Sequence, residues 1–114
     1  MSAPVLDREH LARYTDGDAA LEAELFSLLR GQIEACSARL TAAGDDADAW
    51  RDAAHTLKGA ARGVGAMALA DACEAAEDKP QDEAACAAVR AAADAAVAAM
   101  DAASSAPGRN KAAG

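Results

Sequence analysis

Thirty-seven alanines run through this chain of 114 residues, and they restrict its fold more than any other feature. Alanine is the strongest helix former and is depleted from strands, so the expected class is all-α. The remaining apolar residues number only 23, with Tyr14, Phe26 and Trp50 the sole aromatics. A core that thin holds together only where helices approach closely, with small side chains at the contacts. The length fits a single domain.

Capping residues and apolar spacing divide the chain into helices. Asp7 caps a short first helix to about Tyr14, with Leu6 and Leu11 as its apolar points. The Thr15-Asp16-Gly17-Asp18 turn opens a second, about 19–43, whose stripe reads Leu21, Leu25, Leu28/Leu29, Gln32/Ile33, Cys36 and Leu40. Gly44 stops it. Asp45-Asp46 start a third, about 47–62, with Trp50, Ala54, Leu57, Ala61 and Val64 inward, broken by Gly63 and Gly65. A fourth, about 66–78, turns Leu69, Cys73 and Ala76 inward. Pro80 and Asp82 punctuate a loop, and a fifth, about 83–103, carries Cys86, Val89, Ala93, Val97 and Met100. The expected architecture is an antiparallel up-down four-helix bundle with a short extra N-terminal helix. The domain spans 1–103, and Ser104 to Gly114 form a tail expected to be disordered.

The formal charge of −8 disfavours a nucleic-acid binder, which needs a basic surface to neutralise phosphates. No apolar run approaches the ~18–20 residues needed to span a bilayer, and the N-terminus has no signal-peptide apolar region. No GxxxxGK[ST] or GxGxxG occurs, so the chain has no nucleotide loop of its own. Cys36, Cys73 and Cys86 show no paired spacing and read as small buried hydrophobes in a reducing compartment. The expected location is cytoplasmic.

One constellation carries chemistry. His55 has Arg51 at i−4, Lys58 at i+3 and Arg62 at i+7, which places three cations on its helix stripe. Cations beside an imidazole favour its neutral form, whose ring nitrogen keeps a lone pair, and they attract an incoming anion. Gly59, at i+4, costs roughly 1 kcal/mol against alanine in an exposed helix; without a side chain there, something large can approach the imidazole. Each feature has a plainer reading: a solvated helix histidine, a solvated charge run, a glycine where another helix packs.

The segment Ala54-His55-Thr56-Leu57-Lys58-Gly59-Ala60-Ala61-Arg62-Gly63-Val64-Gly65 resembles the His-x-Leu-Lys-Gly signature of histidine-containing phosphotransfer (HPt) domains, with that family's second glycine at Gly65. Leu69, Cys73 and Glu74 are similar to its next helix, and the resemblance runs from about Leu6 to Ala103. It implies a phosphorelay protein that accepts a phosphoryl group on the outward Nε2 of His55 and exchanges it with aspartates of receiver domains, in response regulators or hybrid histidine kinases. Lys58 would neutralise the phosphoryl group, Gly59 would give the partner clearance, and Glu77 stands where some members hydrogen-bond near the imidazole. Arg51 and Arg62 would add positive charge. Positions 60 and 61, often serine or alanine in the family, are both alanine here, so neither offers a hydroxyl. No kinase or phosphatase activity of its own is expected, and no cofactor or metal on this chain; Mg²⁺ comes with the receiver.

The docking surface should be the exposed side of the second and third helices, with Phe26 a candidate because it lies off the Leu21/Leu25/Leu28 stripe; Phe26 as a wider part of the buried stripe is the other reading. Two rival functions remain: an interaction domain that docks partners without being phosphorylated, and a metal-binding bundle using His10, His55 and cysteines. The second lacks any HxxxH or ExxH pair. The start at Met1 and the loose tail are those expected of a free protein; the oligomeric state is open, with a monomer expected because most such bundles work as one.

Overall fold

The computed structural model describes residues 3–104, which form five helices: α1 (Arg8–Thr15), α2 (Ala19–Ala43), α3 (Ala47–Val64), α4 (Met67–Ala76) and α5 (Glu83–Ser104). Aspartates begin four of them. Asp7, Asp18 and Asp46 accept from amides of the first turns of α1, α2 and α3, and Asp82 accepts from Ala85 N at 2.8 Å. Each satisfies donors that a helix start leaves orphaned. α2 packs on α3, α3 on α4, α4 on α5, and α5 closes against α2, while α1 lies beside α2. Short connections make successive helices antiparallel, the expected up-down bundle.

The core is built as the composition requires. Phe26, Leu29, Leu57, Leu69 and Met100 supply bulk, and fully buried alanines such as Ala53, Ala54, Ala61 and Ala70 let backbones come close. Trp50 anchors a second cluster with Leu40, Ala53 and Ala54.

Several expected details change. The buried stripe of α2 is Phe26, Leu29, Cys36 and Leu40, with Ile33 half-buried, and Leu28 points into solvent at 66% exposure. The expected stripe thus holds at Leu29, Cys36 and Leu40, with Leu21 and Leu25 half-buried; the core face is shifted slightly to take in Phe26 and leave out Leu28. Phe26, 1% exposed, is therefore a core residue and not a docking residue. α3 runs through Gly63 to Val64, because one glycine weakens a helix without ending it. Gly65 ends it, at φ +98°, with its N–H bonded to the Ala61 and Arg62 carbonyls. α4 stops at Ala76, two residues early. The amide that would next bond the Ala76 carbonyl belongs to Pro80, which has none. The Trp50 indole N–H, at 2.7 Å, and Lys79 N, at 3.0 Å, donate to that carbonyl instead. Ser104, assigned above to the tail, is the last residue of α5; residues 105–114 lie outside the described ones.

The N-terminal segment straps onto the α3–α4 corner. Asp7 N donates to Gly65 O at 2.8 Å, and Ala68 N donates to Pro4 O at 2.9 Å. His10 Nε2 lies 3.1 Å from Gly63 O, in place to cap a carbonyl of the last turn of α3.

Candidate functional site

His55 lies mid-way along α3 between buried Ala54 and Leu57, which fix the helix against the core and turn position 55 outward. Its side chain is 68% exposed. Nδ1 faces Glu77 of the α4–α5 connection, 3.7 Å from Oε2. That is long for a hydrogen bond, and the contact is an ion pair only when the ring carries a proton on both nitrogens. It leaves Nε2 on the outer edge of the ring.

The cations around His55 are not the open stripe that spacing along one helix suggests. Lys58 is only 13% exposed, and its ammonium lies 2.6 Å from Glu77 Oε2 and 3.8 Å from Glu74 Oε1. Arg62 lies 3.6 Å from Glu74, and Arg51 pairs with Asp78. The ascending series 51, 58, 62 meets the descending series 78, 77, 74, as two antiparallel helices require. The site is thus a charge-balanced seam, and the surplus of positive charge expected around the imidazole is absent. Glu74 and Asp78 were missed because only neighbours on one helix were weighed. Their signal was present as an acidic patch at i, i+3 and i+4 that begins at Glu74 on the next helix and runs past its C-terminal end.

Lys58 holds the Glu77 carboxyl below the ordinary carboxylate range, chiefly through its direct bond and charge and against partial burial, with a smaller contribution from His55. Glu77 is therefore an anion that Lys58 compensates. Trp50 fixes this arrangement from beneath, since its indole holds Ala76, the residue before Glu77.

Gly59 has open space in place of a side chain: an added Cβ would meet no atom within 4 Å. No helix packs there, which removes packing as the reason for the glycine. Gly65 is the opposite case. Its Cβ would lie 3.0 Å from the Asp7 carbonyl oxygen, and its φ is left-handed, so backbone geometry alone calls for glycine.

A shallow apolar groove begins at Gly59 and runs between α2 and α3. Leu25, Leu28 and Gln32 line one wall, Ala60, Gly63 and Val64 the other, and Tyr14 closes its end. The expected docking face on α2 and α3 thus carries Leu28 where the sequence reading put Phe26.

Cys36 and Cys73 are buried and Cys86 half-buried, all as free thiols. Among the described residues no three His, Cys, Asp or Glu side chains group to hold a metal ion, and no helix is long and apolar enough to cross a membrane.

The Hpt domain family model matches residues 19–103, most of the chain, so the protein belongs to the Hpt domain family, whose domains work in histidine phosphotransfer of two-component signalling. The match starts at Ala19, so α1 lies outside it although the sequence resemblance extends to Leu6. Neither the curated proteins nor the solved structures compared with the chain give a match.

Proposed function

We propose that this protein is a phosphorelay intermediate that takes a phosphoryl group on His55 Nε2 from a receiver aspartate and returns it to another. The observation that carries this reading is an imidazole 68% exposed whose inner nitrogen faces a carboxylate compensated by lysine, beside a helix position cleared of any side chain.

The chemistry follows from that geometry. A carboxylate beside Nδ1 favours the tautomer with the proton there, which leaves the lone pair on Nε2. Nε2 attacks the phosphorus of the receiver's aspartyl phosphate in line; the N–P bond forms, the P–O bond to the aspartate breaks, and the carboxylate leaves with the electron pair. The ring then bears substituents on both nitrogens and carries positive charge. Glu77 balances that charge, and the 3.7 Å contact shortens as it develops. Lys58 is shared between Glu77 and the phosphoryl oxygens, its flexible stem allowing the ammonium to swing. Arg51 and Arg62 flank the incoming anion. The receiver brings Mg²⁺ and the acidic residues around its aspartate; this chain brings nucleophile, charge balance and docking face.

The test is labelling by a phosphorylated receiver and by phosphoramidate, a small phosphoryl donor that needs no docking. Wild type should be labelled by both, and folded His55→Gln by neither. Equal labelling of the variant would end the reading.

A further inference from the structure

We propose that α1, which lies outside the family match, is a partner-selecting element: Tyr14 and Arg13 contact the receiver that docks over Gly59 and discriminate among receivers. This rests on the phosphotransfer reading of His55.

Tyr14 is 64% exposed and Leu28 66%, large apolar side chains that the bundle itself does not cover. Both line the groove that starts at Gly59. Tyr14 also walls an adjoining hollow with His10, Arg13 and Gly63, so the two depressions share Tyr14 and Gly63 and form one surface. A receiver that brings an aspartate to His55 must stand over Gly59, one turn away, and a body of that size reaches along the groove to α1. The occupant is therefore the transferring receiver, not a separate ligand.

Charge favours the same contact. Arg51, Lys58 and Arg62 each meet an acid of the α4 side. Arg13, in the last turn of α1, forms no ion pair among the described residues. The receiver surface that fits offers an apolar side chain to the Tyr14 ring and a carboxylate to Arg13, and a receiver lacking either would dock less well. Buried Leu11, the His10–Gly63 link and the Asp7–Gly65 bond hold α1 at a fixed angle to α3, so its contribution is preset before docking.

The experiment measures transfer between the full-length protein and each receiver domain of its host, for wild type, Tyr14→Ala, Tyr14→Phe and Arg13→Glu, with phosphoramidate labelling of His55 in parallel. Position 14 is exposed and the folds are checked by circular dichroism. We expect Tyr14→Ala and Arg13→Glu to slow transfer with the preferred receiver about tenfold and to flatten the ranking of receivers. Tyr14→Phe should keep the ranking, and phosphoramidate should label all four proteins alike. An unchanged ranking and rate in folded Tyr14→Ala and Arg13→Glu would overturn the proposal while leaving His55 as the acceptor. A wild type labelled by no receiver and not by phosphoramidate would overturn the phosphotransfer reading, and this proposal with it.

Discussion

The Lys58 ammonium lies 2.6 Å from the Glu77 carboxylate, and both side chains are largely covered. The lysine of the signature therefore serves the fold as well as any phosphoryl group. Lys58→Ala leaves Glu77 uncompensated in a partly buried position, which should cost on the order of 1 kcal/mol or more, between the exposed and fully buried limits. It should also slow transfer by roughly tenfold, the equivalent of about 1.4 kcal/mol at the transition state. Urea melts of Lys58→Ala, Glu77→Gln and the double variant form a cycle that isolates the pair; stability losses that simply add would mean the two residues do not interact.

The same pair sets a pH dependence. A carboxyl held lower in the folded than in the unfolded state adds stability above its unfolded value and loses it as pH falls through the folded one. Stability should thus decline as pH drops from the ordinary glutamate region, about 4.3, through the lowered value of Glu77. In Glu77→Gln that part of the acid decline should vanish. Acid titrations of the two proteins with equal slopes would show that the pair makes no such contribution.

Gly59 and Gly65, four and ten residues after His55, should respond to alanine with opposite signs. Gly59→Ala fills open space in a regular helix and should stabilise by up to ~1 kcal/mol. Gly65→Ala forces a side chain into left-handed backbone against the Asp7 carbonyl and should cost about 1–3 kcal/mol. Thermal melts decide both. A large residue at 59, such as Gly59→Gln, should keep the fold and sharply reduce transfer from receivers while phosphoramidate still labels His55. Undiminished transfer would remove clearance as the reason for Gly59.

Most of the fold was legible because its signals are local. Asp7, Asp18, Asp46 and Asp82 cap where capping chemistry places them, and Trp50, Ala54, Leu57, Ala61 and Val64 turn inward together. Position 55 faces out because those five face in. What was not legible depends on a second helix. Phe26 and Leu28 exchange roles, core and surface, according to which face of α2 meets its neighbours. The acids opposite Arg51, Lys58 and Arg62 become partners only when α4 folds back along α3. Phe26→Ala should accordingly destabilise by about 3–5 kcal/mol, whereas Leu28→Ala should leave stability nearly unchanged and weaken receiver transfer. Denaturation midpoints showing the reverse order would restore Phe26 to the surface.

Cys73 is buried on α4, within the electrostatic reach of Glu77 and Lys58; burial pushes its thiol up to about 12, with Cys36 and Glu77 adding to the rise and Lys58 opposing it. A thiol raised on folding contributes stability below its unfolded value, ~8.5, and loses it as pH rises toward the folded one. The native protein should therefore leave Cys73 unmodified by iodoacetamide at pH 8 while half-buried Cys86 reacts first. Replacement of all three cysteines by alanine should lower stability and leave transfer intact. Loss of transfer in a folded triple variant would give the thiols a part in the chemistry.

The most direct measurement is the site of the phosphoryl group itself. After incubation with a phosphorylated receiver, mass spectrometry of the intact protein and its peptides should find one acid-labile phosphoryl group, on His55, and none on folded His55→Gln. A phosphoryl group on any other residue, or full labelling of His55→Gln, would contradict the account.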